Sequence, residues 1–236
     1  VELNLDKVDL HLSSRNQRMH LEITAPQHKL LFRSELQGNI LGSAWSANSY
    51  LQTSELEASP FASPYLPEKF TLDKLQLGLE SWSKWRGGRH VATQAKLKLH
   101  QLELRHTEGS RLTLDSASTR MQFRRAPDHW QLQFADFSVD SSAGNWPTTD
   151  ILLDLSMVGP GLQQLRIGMS LIPLQALNRL SGIFRPKGRL DTLLNQFSPS
   201  GDLHKVRAHL LAGASPEISL QTFSAEFSSA VLPSRN

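Results

Sequence analysis

One rhythm in this sequence limits what the chain can fold into. In Leu97-Lys98-Leu99-His100-Gln101-Leu102-Glu103-Leu104, apolar residues alternate with polar ones, skip a position, then alternate again. Alternation with period two marks a strand with one face out of water. The skip leaves two readings. A β-bulge at His100-Gln101 adds one residue and returns all four leucines to the same face. Otherwise the strand changes face halfway along. The bulge is favoured, because bulged strands curl a sheet and preserve one continuous apolar side. The same beat recurs at Leu3–Leu10, Phe70–Leu77 and Leu132–Val139. Its copies are irregularly spaced, unlike a solenoid of fixed period. The expected fold is a mostly β chain built as a long curled sheet with one apolar face.

The 236 residues suffice for one all-β domain or two smaller ones, and for a sizeable core. A hydrophobic share of 39% is ordinary once glycine is added, which excludes a disordered chain. Lys+Arg 25 against Asp+Glu 22 leaves +3, too little to argue for nucleic acid. No RNP, zinc-finger or helix-turn-helix signature is present either. Without cysteine there is no disulfide framework and no thiolate metal site. No run approaches the roughly 18 apolar residues of a membrane-spanning helix. Val1 already lies in a strand pattern, with no initiator Met and no signal peptide, so we expect a segment of a longer chain.

Taken in order, strands are expected over Val1–Leu12, around Met19–Ile23 up to Pro26, over Leu30–Leu36 up to Gly38, and over Tyr50–Leu56. Pro60, Pro64 and Pro67 make 58–69 an irregular connector and the best internal boundary. The expected organisation is therefore a β-sheet segment 1–57, the connector, and a second segment 70–236 continuous with the first. Phe70–Trp82 and Val91–His106 flank Arg86-Gly87-Gly88-Arg89, a hairpin signal. Leu112–Phe123 and Trp130–Val139 form another hairpin, and Ile151–Met157 and Leu162–Leu171 flank Gly159-Pro160-Gly161. A short helix is expected near 173–181, with Pro173 in its first turn and Gly182 past its end. Leu190–Phe197, Lys205–Leu211 and Ile218–Phe227 are expected as three final strands.

A search for chemistry finds little. The nine histidines are scattered. His204 and His209 point to opposite faces of a strand and cannot share a metal, and His100 and His106 read best as solvated strand residues. No G-x-S-x-G elbow, P-loop, H-E-x-x-H or calcium loop occurs. No acid pair is nominated for catalysis, so no catalytic residue, metal or cofactor is expected. Trp82, Trp85, Trp130 and Trp146 are expected at strand ends or in loops, where they would plug the ends of an apolar sheet or, less favoured, act as sugar platforms. Arg179, Arg185, Lys187 and Arg189 gather four bases with no acid between them after the expected helix. An ordinary solvated surface explains them, and so does contact with anionic headgroups.

Four segments in order carry a resemblance. Leu75-Gln76-Leu77 leads through Trp82-Ser83-Lys84-Trp85-Arg86-Gly87-Gly88-Arg89 to Leu97–Leu104. Phe123–Trp130 leads through Gln131–Ser138 to Asn145-Trp146-Pro147. Ile172-Pro173-Leu174-Gln175-Ala176-Leu177 opens the helix, and Pro186-Lys187-Gly188-Arg189-Leu190-Asp191 begins a new strand. This order resembles the N-terminal half of YhdP proteins of Gram-negative bacteria, in the AsmA-like group that includes TamB. The resemblance implies an elongated, curled antiparallel sheet with a hydrophobic groove. It also implies a periplasmic position in a protein anchored in the inner membrane, and a bridge carrying phospholipid between inner and outer membranes. It brings no catalytic residues.

The bottom-up reading meets the resemblance at the apolar face, which must be covered by a second sheet or by lipid. Candidate groove residues are Leu72, Leu75 and Leu77, then Leu97, Leu99, Leu102 and Leu104, then Leu112, Leu114, Met121 and Phe123. Leu132, Phe134, Phe137, Leu153, Leu155, Leu165 and Ile167 complete the set. Headgroup candidates are the four bases at 179–189. The expected partners are phospholipid acyl chains and, through parts of the protein beyond this chain, the two membranes. Two alternatives stand beside this reading: an envelope scaffold with a packed core and no ligand, and a carbohydrate-binding or hydrolytic β-sandwich.

Overall fold

The computed structural model describes residues 8–15, 18–40, 42, 44–107, 109–141, 144–159, 161–176, 200–212 and 218–231. Its strands run in chain order: β1 Asp9–Arg15, β2 Arg18–Ala25, β3 Leu30–Gln37, β4 Ser46–Glu57, β5 Phe70–Arg86, β6 Arg89–His106 and β7 Arg111–Leu114. They continue as β8 Ser116–Arg125, β9 His129–Asp140, β10 Trp146–Val158, β11 Gly161–Pro173, β12 Ser200–Ala212 and β13 Ile218–Val231. All belong to one 13-stranded sheet. Successive strands pair antiparallel, with one irregularity. β7 and β8 both lie along β6, β7 at one end and β8 at the other, as one strand broken at Asp115.

The skipped beat is a bulge. On β6, Leu99 faces Leu77 and Leu102 faces Leu75, while Gln101 faces Gln76, so His100 is the extra residue. Leu97, Leu99, Leu102 and Leu104 therefore share one face. The same device recurs at the copies on β5 and β9. On β5, Leu72 faces Leu104 and Lys74 faces Glu103, which leaves Asp73 extra. On β9, Ala135 faces Arg120 and Ser138 faces Ser118, which adds one residue around Asp136. Asp136 has φ 54°, the left-handed conformation that Asp tolerates better than most residues. Its carboxylate accepts from Arg120 Nε at 2.8 Å, and its own N–H donates to Asp150 Oδ1 at 3.0 Å. β4 adds a further bulge between Thr53 and Leu56. Leu3 and Leu5 of the first copy lie outside the described residues.

The turns follow their chemistry. Gly87 and Gly88 have φ of 56° and 67°, the two left-handed positions that a tight two-residue hairpin demands. In the connector, Ser59–Ala62 forms one helical turn (α1) and Ser63–Tyr65 a 3-10 turn, each with a proline in its first turn. The irregular loop expected there is thus partly helical, because proline pre-sets φ for a helix start. The Ala58 N–H donates to Leu75 O at 2.7 Å, and Glu57 Oε1 accepts from the Ser59 N–H at 3.1 Å. β4 and β5 pair directly, so the sheet runs on past the connector.

At the other expected helix, Pro173 ends β11 and 174–176 are helical. Leu174 is buried with Leu203 and Val206, against Met169 and Ile172. The rest of that helix and the strand expected at Leu190–Phe197 lie outside the described residues. Among the described residues the buried apolar side chains are Ala25, Ala47, Ala58 and Ala95 with Leu104, Leu112, Leu174, Leu203 and Val206. Long leucines such as Leu77, Leu97 and Leu99 are half-buried instead.

Two outcomes follow from the bulges. Deleting His100 should turn Leu102 and Leu104 to the other face and cost more than about 3 kcal/mol in urea unfolding, whereas His100→Ala should stay within about 0.5 kcal/mol. Equal costs would show that His100 does not set the register. At Asp136, Asp136→Val and Asp136→Gly both remove the carboxylate. Valine should be the worse by about 1–2 kcal/mol, because it resists a positive φ.

Candidate functional site: the apolar face and its two ends

Residues paired across antiparallel strands point to the same side of a sheet. Following the pairs therefore maps each face. One row runs Ile23, Phe32, Leu51, Ser81, Ala95, Met121, Phe134, Ile151 and Met169 from β2 to β11. Beside it runs Leu21, Ser34, Ser49, Ser83, Thr93, Phe123, Leu132, Leu153 and Ile167. Further along the strands, Leu77 pairs with Leu99, Leu102 lies between Leu75 and Leu114, and Leu104 between Leu72 and Leu112. Leu155 pairs with Leu165, and Phe137 with the buried Thr149. All the groove candidates from the sequence thus fall on one face. Ile23, Phe32, Leu51, Leu79, Ile151 and Met169 share it and were not singled out, although the same alternation marks them.

All strands among the described residues belong to one sheet, and helical Leu174 packs against Met169 of this face. A hollow of about 290 Å³ lies on it, lined by Leu21, Phe32, Leu36, Leu51 and Trp85 above a floor of small residues, Ser34, Ala47, Ser49, Ser81 and Ser83.

The opposite face is polar. Arg33 pairs with Glu22 at 2.7 Å, Arg18 with Glu35 at 2.9 Å, Lys96 with Glu80 at 2.9 Å and Arg105 with Asp73 at 2.7 Å. The Lys96 hydrogen bond holds the Glu80 carboxyl below its usual range, with the Tyr50 hydroxyl acting in the same direction. Burial, then the Glu80 hydrogen bond, push the Tyr50 hydroxyl up. A wider concavity of about 620 Å³ is lined largely by side chains of this face, including Glu22, Arg33, Tyr50, Trp82 and Gln94. Its lining combines the Glu22–Arg33 ion pair with the bases Lys84 and Arg124 and with the rings of Tyr50, Trp82 and Phe123. Trp82 lies here in mid-strand, 41% exposed and 5.4 Å from Tyr50, and not at a strand end as its neighbours suggested. It pairs with Gln94, one residue out of step with the apolar Ser81 and Ser83.

Aromatic rings border both ends of the apolar face. At one end Trp45 and Trp85 lie 6.0 Å apart, His90 stacks on Phe123 at 5.4 Å, and Phe123 meets Trp130 at 6.3 Å. Burial lowers the His90 pKa, and Arg125 acts in the same direction, so the ring is neutral near pH 7. At the other end Phe137 meets Trp146 at 6.5 Å, and the Trp146 Nε1–H donates to Thr149 Oγ1 at 3.0 Å. Arg179, Arg185, Lys187 and Arg189 lie outside the described residues. Among the described residues, no cluster of three or more His, Asp or Glu could hold a metal.

No curated protein and no solved structure matches the chain. The YhdP protein family is matched over residues 1–233, nearly the whole sequence, and the chain belongs to that family.

Proposed function

We propose that this chain is a segment of a bridge across the periplasm, carrying phospholipid between the inner and outer membranes. Membership of the YhdP family suggests lipid transport in the cell envelope at a coarse level, and the family is not known as an enzymatic one. The observation that carries the finer reading is the uncovered apolar face. It continues from strand to strand through Phe32, Leu51, Leu77, Leu99, Met121, Phe134 and Leu153, its large side chains are half-buried, and the described strands form a single sheet.

Such a face needs a cover, and acyl chains supply one. Each methylene removed from water contributes about 0.8 kcal/mol. The backbone polar groups beneath are paired in the sheet ladder, so a chain sliding over them meets no unsatisfied donor or acceptor. Transfer by this route is passive: tails lie on the apolar face and headgroups stay near water. The ion-paired face turns to the surrounding solvent. Among the described residues no helix is long and apolar enough to cross a membrane, so attachment to the inner membrane falls to other parts of the protein.

Photo-crosslinkers placed at Leu99 or Phe134 of the intact protein in cells should capture phospholipid, and those at Lys98 or Gln133 much less. Equal yields from both faces would remove the apolar face as the lipid path. A charge at Leu99 separates a lipid path from a packed scaffold. In a dry core an unpaired carboxylate costs several kcal/mol out of a total of about 5–15. On an open face, Leu99→Asp should keep its melting temperature to within a few degrees yet abolish lipid transfer, with Lys98→Asp normal in both. An unfolded Leu99→Asp would favour the scaffold.

A further inference from the structure

The two ends of the apolar face differ in ways that alternation does not require. Towards the end carrying Trp45, Trp85 and Trp130, four consecutive strands place a hydroxyl in the same row: Ser34, Ser49, Ser83 and Thr93. Ser34 Oγ and Ser49 Oγ lie 3.0 Å apart, Ser83 Oγ and Thr93 Oγ1 2.7 Å, and Thr93 Oγ1 lies 2.6 Å from His90 Nε2. A hydroxyl has one donor and two acceptor positions, so a chain of them keeps unused capacity. Ser34, Ser49 and Ser83 floor the hollow on this face.

Beyond the tryptophans, the turns at this end carry Lys84, Arg86, Arg89, Arg124 and Arg125, all exposed, against Asp128 alone. None of the five bases forms an ion pair among the described residues, and Arg125 lies 4.9 Å over the Trp130 ring. Adjacent turns are tied together: the Gly88 N–H donates to Trp45 O at 3.1 Å and the Met157 N–H to Asp128 O at 2.8 Å. At the opposite end three bases are paired, Lys29 with Glu55, Arg105 with Asp73 and Arg111 with Glu103, while Lys69 and Lys74 form no ion pair among the described residues.

From apolar to polar, the sequence of surfaces is leucine rows, hydroxyls, aromatic rings, then uncompensated guanidinium groups. A glycerophospholipid presents the same order as acyl chain, ester, interface and phosphate. Indole rings favour the boundary between apolar and wet surroundings, and arginine forks suit phosphate. Resting on the proposed function, we infer that the tryptophan end is the headgroup end. Arg86, Arg89 and Arg125 meet the phosphate, the Ser83–Thr93 hydroxyls meet the ester oxygens, and the acyl chains run along the strands towards Leu72 and Leu104. Thr93 to Leu104 spans roughly 35 Å at about 3.3 Å per residue. One acyl chain covers only about half of a roughly 30 Å bilayer core, so the tails end on leucine.

Two phosphatidylglycerol probes test this orientation on the intact protein, one with a diazirine on the headgroup and one with it at the acyl terminus. Mapped by mass spectrometry, headgroup label should fall in 82–93 and 122–132, and acyl-terminus label in 70–79 and 97–114. The triple variant R86Q/R89Q/R125Q should lose headgroup label at these positions several-fold while keeping acyl label. S83A/T93V, which removes hydroxyls at nearly constant volume, should broaden the acyl-terminus map. Both labels spread evenly over the two ends, a reversed map, or a triple variant that labels like the parent would overturn the orientation and leave lipid carriage standing. No label from either probe would overturn both.

Discussion

Everything in this structure depends on a ladder of backbone hydrogen bonds that satisfies itself within one layer. A sheet that closes its polar backbone groups strand to strand needs no second layer for them. What it leaves open is a question of side chains. Here the ion pairs go to one face and the leucines, phenylalanines and methionines to the other. Among the described residues the buried apolar side chains are four alanines, Leu104 and Leu112, and the small cluster of Leu174, Leu203 and Val206. The described residues are organised more around a surface than around a core, and a contiguous apolar surface marks a site of interaction.

Bulges keep that surface continuous. Without the extra residues at Asp73, His100 and Asp136, half of each long strand would present its charges to the leucine side. They also increase local twist, which curls a sheet of this width. Asp136 shows the local cost and its compensation. The residue accepts a left-handed backbone, and its carboxylate and N–H are both engaged, by Arg120 and Asp150.

The proposed lipid path rests on the difference between the two faces, and its proposed orientation on the difference between the two ends. Ion pairs exposed on the outer face add little stability individually, roughly 0–1 kcal/mol each. Their larger effect is to keep that face wet and acyl chains away from it. Where bases lack partners, at the Arg86–Arg89 and Arg124–Arg125 turns, they supply a field of one sign beside the hydroxyl row. An apolar trough alone would bind tails in either direction along the strands.

Much of this was legible in the residues. Period two gave strands, the skipped position gave a bulge at His100, and Gly87-Gly88 gave a hairpin, because each rests on local sterics that a few residues dictate. Order along the chain became order across the sheet because short turns join antiparallel neighbours. Three things needed the tertiary structure. The lateral register aligned Ser34, Ser49, Ser83 and Thr93, residues distant in sequence, into one row. Trp82 went to the polar face because its parity follows Ser81 and Ser83, which read as polar although their side belongs to the leucines. That the described strands all join one sheet was equally hidden, because a strand in a two-sheet sandwich and one in a single sheet carry the same alternation. The sequence by itself decided which side chains share a face; only the assembled sheet decided what lies over that face, because covering is a property of elements far apart in the chain.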